Sequence, residues 1–304
     1  MSRSRGRPGA PAPGAPIHSA HLPRIAAMFL RNVLLLCLCA TASGCATSSV
    51  PTETLLGVAP MAMDAVAAAQ VDAFTSGTFT AADGTVVPYR VLPPLRARAG
   101  QRYPLVLQLH GSGGIGTDNA GQLDRLARSW ALPATRERYP AYILVPQFAT
   151  RSANYGAASP AQAAEPAPVL GAALELTRAF ASTHPVDATR IYAVGFSMGG
   201  SAAWLAPTLD PSLFAAIMPV SGIAPADRWS AALTPVPALV LHGTADAENP
   251  ITADRRFVRA LQARGAQQVR LREYYGLGHQ PPADLVPGAW WRDWLFGQAR
   301  QRAD

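Results

Sequence analysis

A serine between two glycines is the first group in this sequence that could do chemistry. Ser197 lies in the pattern Gly-x-Ser-x-Gly, between Gly195 and Gly199. The apolar run at 190–194 predicts a strand before it, and residues 201–206 predict the start of a helix after it. On such a tight turn the serine backbone is strained, and flanking glycines avoid steric clashes. Ser197 is therefore a candidate nucleophile at a helix N-terminus, where unpaired N–H groups face the reaction centre.

A serine nucleophile needs a general base and a carboxylate that orients the base. The turn at Ser197 resembles that of the α/β-hydrolases, and this resemblance implies that the carboxylate and then the histidine follow the serine in chain order. His279 fits the base because it follows a predicted strand in a glycine-containing loop. Asp246 fits the carboxylate because it follows the predicted strand at 238–241, and Glu248 is the alternative. Other nearby candidates are interpreted as structural or surface groups: a structural His110, a packing His242, a surface His184 and a helix-face Asp254.

A second glycine-rich turn could stabilise the negative charge that develops on a carbonyl oxygen under attack. The sequence His-Gly-Ser-Gly-Gly at 110–114 follows an apolar run at 103–109, which predicts a buried parallel strand. In the α/β-hydrolases, which this arrangement resembles, a loop in this place supplies one backbone N–H to an oxyanion hole, and the residue after the nucleophile supplies another. We assign the first donor to Ser112, with Gly111 as the alternative, and the second donor to Met198.

Predicted strands and helices alternate along the part of the chain that carries these residues. A hairpin at 78–91 turns at Asp-Gly, and Pro88 within it indicates an edge strand. Such alternation is typical of an α/β fold, a mostly parallel sheet with helices on both faces. Residues 148–166 are predicted to form a surface loop beside the mouth of the site. The remaining predicted strands are 103–109, 141–147, 190–194, 213–222, 238–241 and 269–275, and the main predicted helices are 122–130, 169–183, 251–264 and 290–301.

Taken together, these motifs resemble a known family. The motifs at 109–114, 146–147, 190–200, 219–222, 242–246 and 278–279 are similar to those of the "predicted peptidase" or esterase-like branch of the α/β-hydrolases, which includes prolyl oligopeptidase-like and phospholipase/carboxylesterase-like proteins. The resemblance covers about residues 75–300. It implies an α/β-hydrolase fold with Ser197, Asp246 and His279 as the catalytic triad, and it does not specify the substrate.

The charge distribution argues against a nucleic-acid partner. The chain of 304 residues has 26 basic residues, all arginine, 19 acidic residues and a formal net charge of +7. Five arginines precede Cys45, where there is no acid, which leaves 21 arginines against the 19 acids beyond it. No basic cluster with interleaved aromatic residues occurs, so we expect no nucleic-acid binding. A hydrophobic content of 49% is enough for one large α/β domain.

Residues 1–45 have the features of a secretory signal. Arg31 precedes an apolar stretch at 33–40, and small residues follow at 41–44. The apolar stretch is too short to span a membrane. Residues before Met28 fit no signal region, so Met28 is an alternative start of the protein. All three cysteines lie in this segment, so the rest of the chain cannot form an internal disulfide or a cysteine zinc site.

The end of this segment resembles a bacterial lipobox. In that motif the cysteine, here Cys45, is lipidated and becomes the first mature residue, although Ala42 stands where leucine is usual. We expect an exported protein held at the outer membrane by a lipid anchor, or a periplasmic or secreted one if the signal is cut without lipidation. The small, alanine-rich residues 46–72 are predicted to be a tether, followed by a catalytic domain at 73–304.

The sequence therefore predicts a secreted serine hydrolase that cleaves carboxylic esters through an acyl-enzyme. The expected partner is a small acyl-ester substrate, and no metal or organic cofactor is needed for this chemistry. A serine peptidase with the same triad is the alternative, and a non-catalytic binding protein of the same fold is a further one. Oligomeric state is not predicted.

Overall fold

A nine-stranded sheet forms the centre of the structure, a computed structural model that describes residues 52–159 and 161–301. The strands in the described part are β1 (Thr52–Leu55), β2 (Thr75–Thr80), β3 (Val86–Leu92), β4 (Tyr103–Leu109), β5 (Tyr142–Pro146), β6 (Ala153–Asn154), β7 (Glu165–Pro166), β8 (Val186–Phe196), β9 (Ala216–Val220), β10 (Ala238–Gly243) and β11 (Val269–Tyr274). The sheet order is β1-β11-β10-β9-β8-β4-β5-β3-β2, and β6 pairs with β7. Among the described strands of this sheet, β3 alone runs opposite to the others, so the predicted mostly parallel sheet is confirmed.

Helices cover both faces of this sheet. Along the fully buried β4, Leu105 and Leu107 point into a core cluster with the helices at 168–183, 198–209 and 252–263, whereas Val106 points into a second cluster with the helices at 125–129 and 289–296. This division follows from the strand period of two, which sends successive side chains to opposite faces. The predicted α/β fold is confirmed. The α-helices of the described ranges are α1 (Arg125–Ser129), α2 (Pro133–Arg138), α3 (Pro168–Thr183), α4 (Met198–Leu209), α5 (Ser230–Leu233), α6 (Thr252–Ala263) and α7 (Ala289–Phe296).

The segment predicted to be a tether differs in the structure. Within it, Thr52–Leu55 forms β1, which pairs in parallel with β11 at the edge of the sheet. Further on, Met61 is only 1% exposed and Val66 is also buried. The described part of the predicted tether is thus packed against the domain. An edge strand is held by backbone hydrogen bonds, and β1 is largely exposed, so its sequence carries no apolar alternation that would reveal it.

The carboxyl ends of the central strands meet at one edge of the sheet. Because β4, β8, β9, β10 and β11 are parallel neighbours, the loops that follow them lie side by side, and this is where open α/β sheets bind ligands. These loops contain the predicted oxyanion turn, Ser197, Asp246 and His279.

The predicted signal segment, with Met28 and the lipidation candidate Cys45, lies outside the described residues. Within the residues that are described, no helix has the length and apolar character needed to cross a membrane.

Candidate active site

Ser197 occupies the sharp turn between β8 and α4. Its φ is 57° and its ψ is −121°, a backbone conformation that costs energy for any residue with a side chain. A β-carbon added at Gly195 would overlap the backbone of Gly199, and one at Gly199 would overlap the carbonyl group of Leu109. The glycines therefore permit the approach of β8, α4 and β4 to one another, whereas the sequence had suggested that they avoid clashes with the serine itself.

The structure brings the three predicted triad residues into hydrogen-bond contact. Ser197 Oγ lies 2.9 Å from His279 Nε2, and His279 Nδ1 lies 2.7 Å from Asp246 Oδ2. Since the carboxylate can only accept, Nδ1–H donates to Asp246, and Nε2 is then free to accept the proton of the serine hydroxyl. This arrangement can deprotonate Ser197 during attack and stabilise the imidazolium that results.

The carboxylate of Asp246 is buried and well supplied with donors. Its Oδ1 accepts hydrogen bonds from the backbone N–H groups of Glu248 (3.0 Å) and Asn249 (2.8 Å). Burial alone would raise the pKa of Asp246, but hydrogen bonds from His242, His279 and the Asn249 backbone hold it well below its usual range. Asp246 is therefore ionised at neutral pH, as an orienting carboxylate must be.

The alternative carboxylate, Glu248, is placed differently. Its side chain is 75% exposed, and its Oε2 lies 3.7 Å from His279 Nε2, the nitrogen that faces Ser197. A group on that side cannot hold the Nδ1 tautomer. The geometry therefore favours Asp246 over Glu248 as the orienting acid.

A buried ionic network lies behind Asp246. His242 Nδ1 lies 2.7 Å from Asp254 Oδ2, and His242 Nε2 lies 2.7 Å from the carbonyl oxygen of Asn249. Burial by itself lowers the pKa of His242, but hydrogen bonds with Asp246 and Asp254 outweigh it and raise the pKa to about 9. Asp254 also accepts a hydrogen bond from the indole N–H of Trp204 on α4 (2.9 Å).

Two interpretations from the sequence are corrected by this network. His242 is not merely a packing residue, and Asp254 is not an exposed helix charge, because its side chain is completely buried. A sequence signal for Asp254 did exist. Asp254 shares the i, i+3, i+4, i+7 stripe of α6 with the buried apolar residues Phe257, Val258 and Leu261. A carboxylate on such a stripe needs a buried partner, and His242 is that partner.

The glycine-rich turn after β4 lies directly beside the serine. A β-carbon at Gly111 would lie 3.5 Å from that of Ser197, and Ser112–Gly114 forms a short 3-10 turn. The carbonyl oxygen of Gly111 accepts from Gly114 N–H (3.0 Å) and from His110 Nδ1–H (2.7 Å). The N–H of Ser112 belongs to the same peptide plane and points the opposite way, so these bonds set its direction.

His110 holds this turn in place and does not act as a base. Its Nε2 accepts a hydrogen bond from the Phe148 backbone N–H (3.1 Å), and burial lowers its pKa, so the ring is neutral. The second predicted donor, Met198 N–H, belongs to the first residue of α4 and has no partner within the helix. The two predicted oxyanion donors therefore flank Ser197 from β4 and from α4.

A cavity of about 470 Å³ opens over these groups. Its lining includes Ser197, His279, Ser112 and Phe196, together with residues that the sequence did not suggest: Met63, Asp124, Arg125 and Pro281. None of the described residues of 148–166, which were predicted to lie beside the mouth, lines it. Within the described ranges, no group of three or more His, Cys, Asp or Glu side chains could hold a metal ion.

Asp124 is an acidic group in the lining of this cavity that does not belong to the triad candidates. Its carboxylate caps α1 by accepting from Ala127 N–H (2.9 Å). Asp124 is half-buried, and loss of solvent around its carboxyl raises the pKa to about 6, against the lowering effect of nearby backbone N–H groups.

Comparisons with known proteins show what this chain is similar to. The profile of the phospholipase/carboxylesterase family matches residues 174–286, a range that contains all three triad candidates. The solved structure of a thermostable esterase is 31% identical, with a TM-score of 0.67, over 76% of this chain and 64% of its own. The chain thus spans less than two thirds of that esterase.

More distant structures share the fold. The feruloyl esterase module of Clostridium thermocellum is 13% identical with a TM-score of 0.56 over 77% of this chain and 90% of its own. The acylaminoacyl peptidase of Pyrococcus horikoshii is 14% identical with a TM-score of 0.56 over 77% of this chain and 44% of its own. No curated protein sequence matches the chain significantly. With its mostly parallel sheet and the serine on a strand-to-helix turn, the chain has the fold of the α/β-hydrolases.

Proposed function

We propose that this protein is a serine hydrolase that cleaves carboxylic esters through an acyl-enzyme. The observation that supports it most is the continuous hydrogen-bond chain from Asp246 through His279 to Ser197 at the floor of an open cavity. The similarity to a thermostable esterase and to the phospholipase/carboxylesterase family supports the same class of reaction.

In the acylation step, His279 Nε2 removes the proton of Ser197 as Oγ attacks the ester carbonyl carbon. The carbonyl oxygen becomes an oxyanion, which the N–H groups of Ser112 and Met198 would stabilise. The imidazolium then gives its proton to the leaving alcohol as the C–O bond breaks. Asp246 is ionised and buried, so it stabilises the positive charge on His279 throughout this step.

In the deacylation step, water takes the place of the alcohol. His279 removes a proton from the water, hydroxide attacks the acyl carbon, and the proton returns to Ser197 Oγ as the acid leaves. Because the cavity is open to solvent above the triad, water can reach the acyl group. The steps use only groups of the chain, the ester and one water molecule, which supplies the OH of the acid and the proton that returns to Ser197 Oγ.

We favour an ester over a peptide as the substrate because the two have different leaving groups. An alkoxide departs with modest help, whereas an amine must be protonated while a well-held substrate keeps its nitrogen aimed at His279. Holding a peptide usually takes an extended cleft, a free strand edge or a covering domain. The cavity beside Ser197 is compact, and β8, which carries the nucleophile, is paired on both sides.

The experiment that tests the proposal compares esters with amides on purified protein. We expect kcat/KM for p-nitrophenyl butyrate to exceed that for any p-nitroanilide peptide by at least about 10²-fold. Ser197→Ala should abolish both hydrolysis and labelling by a fluorophosphonate probe. Equal rates on a peptide amide would favour a peptidase, and labelling that survives in Ser197→Ala would rule out this nucleophile.

Export and lipid anchoring form a second part of the proposal. The apolar stretch at 33–40 and the small residues before Cys45 support a lipoprotein signal. The residue after the cysteine is Ala46 and not the aspartate of an inner-membrane retention signal, which favours the outer membrane. Cys45→Ala should move the protein from the membrane fraction to the soluble fraction of a Gram-negative host. An unchanged distribution would argue against the anchor.

A further inference from the structure

The chain segment that leads from β1 into the 3-10 helix at Met63–Val66 reaches the candidate active site, where Met63 lines the cavity. We name residues 56–63 the N-terminal strap. Because β1 is parallel to β11, the strap and the loop that carries His279 leave the same edge of the sheet side by side. Gly57, with a φ of 69°, provides the turn that directs the strap away from the line of β1.

Backbone hydrogen bonds join the strap to the loop of the catalytic histidine. Met61 N–H donates to the carbonyl oxygen of Pro281 (2.8 Å), and Ala283 N–H donates to that of Ala59 (2.9 Å). Between them, Pro60 and Pro282 form an isolated antiparallel bridge. The strap is therefore a short antiparallel partner of the segment that directly follows His279.

The side chains of Met61 and Arg125 also hold the strap in place. Met61 is buried in the core cluster beneath the strap, which anchors it to the domain. Arg125 on α1 donates one guanidinium hydrogen bond to the carbonyl oxygen of Met61 and another to Gln280 Oε1 (2.9 Å). The strap, α1 and the histidine loop are thus held as one wall of the cavity.

Met63, at the end of the strap, presents an apolar side chain to this cavity. It is 77% exposed and lines the cavity with Pro281, Leu126 and Phe196. A large apolar side chain that remains exposed beside a reactive serine has room to pack against a ligand, and methionine is flexible enough to adapt to different shapes.

The chemistry of the reaction decides which half of an ester meets this wall. His279 must deliver its proton to the oxygen of the leaving alcohol, so the alcohol leaves from the His279 side of the cavity. The strap pairs with the residues that directly follow His279, and Met63 and Pro281 therefore line that side. The acyl group remains attached to Ser197 after the alcohol has gone.

From these contacts we infer that Met63 is a specificity-determining residue that binds apolar alcohol groups of the ester substrate. This inference rests on the proposed esterase function and deepens it: the preferred substrates are esters of apolar alcohols larger than methanol. Met63 acts only before the alcohol departs. It should affect kcat/KM, which includes alcohol release, and leave hydrolysis of the acyl-enzyme unchanged.

The test is a matrix of esters assayed with wild-type protein and Met63→Ala. Methyl and hexyl butyrate vary the alcohol at constant acyl group, and p-nitrophenyl acetate and butyrate vary the acyl group at constant alcohol. We expect Met63→Ala to lower the hexyl-to-methyl ratio of kcat/KM by about tenfold, because the variant loses the apolar surface that contacts the hexyl group. The acetate-to-butyrate ratio should stay within about twofold, because Met63 does not meet the acyl group.

Two further variants make the test specific. Leu56→Ala removes a strap side chain of almost equal exposure, 75%, that does not line the cavity, so it should leave both ratios unchanged. Met63→Leu keeps an apolar side chain and should retain the hexyl preference. An unchanged hexyl-to-methyl ratio in Met63→Ala, or a shift in the acyl ratio instead, would overturn the inference alone. A wild-type protein that cleaves none of these esters would refute the proposed function as well.

Discussion

Loss of a proton from His242, the buried histidine behind the triad, should make the protein less stable at alkaline pH. His242 faces a carboxylate at Nδ1 and a carbonyl oxygen at Nε2, and since neither group can donate, both nitrogens must carry protons. The charged groups that face His242 are Asp246, from the loop after β10, and Asp254, from α6. His242 is therefore predicted to be a buried cation between two carboxylates at neutral pH.

The size of the effect follows from the pKa difference between the folded and unfolded chain. The ordinary pKa of histidine is 6.5, and that of His242 in the fold is about 9. Below pH 6.5 both states bind the proton, and the stabilising contribution is complete. Between pH 6.5 and about 9 only the folded state keeps it, so the free energy of unfolding falls by roughly 1.4 kcal/mol per pH unit, or about 3 kcal/mol in total.

The assay is urea-induced unfolding followed by tryptophan fluorescence at pH 6.5 and pH 9. Wild type should lose about 3 kcal/mol more between these pH values than His242→Gln, in which the side chain cannot be charged. The control is His184→Gln, which replaces an exposed histidine and should keep the wild-type pH dependence. If His242→Gln loses as much stability as wild type between pH 6.5 and pH 9, His242 is not a buried cation and the reasoning fails.

Two more predictions concern the acid and the turn. Asp246→Asn should keep the fold but lower kcat by about 10⁴-fold, because the wrong imidazole tautomer is favoured, whereas Glu248→Gln should stay near wild type in the same ester assay; the reverse result would make Glu248 the acid. Gly199→Ala should destabilise the protein by about 3 kcal/mol or more in thermal unfolding, because the new methyl group overlaps the backbone of Leu109, while Gly171→Ala, in open space on α3, should stabilise it slightly. Equal melting temperatures for the two glycine variants would contradict the packing argument.

The candidate active site could be predicted from sequence because short local motifs mark its parts. Ser197 is marked by two glycines that a sharp turn requires, and the oxyanion turn is marked by its place after an apolar strand. Chain order then limits the base and the acid to a few loop residues. In the structure His279 and Asp246 lie where that order suggested, on neighbouring loops at the carboxyl edge of the sheet.

Errors arose where a residue type was judged without its neighbours in space. Pro88 suggested an edge strand, yet β3 lies between β2 and β5, and β2 is at the edge. The proline is tolerated because pairing of β3 with β5 begins at Tyr89, so at Pro88 no backbone N–H is needed on that side. Asp254 was interpreted as a surface charge because most carboxylates are exposed, whereas its buried position is explained by His242 and Trp204, which lie on other elements.

The mouth of the site could not be predicted, and the reason lies in how the strap is held. Its links to the His279 loop are mostly backbone hydrogen bonds, which any residue other than proline can donate, so they leave no pattern in the sequence. The same property makes the strap tolerant of substitution at its exposed positions, while its path remains set by β1 and the buried Met61. An exposed residue such as Met63 can therefore change without cost to the fold. Alcohol specificity could then be altered at this position while the triad, which lies on other loops, keeps its geometry.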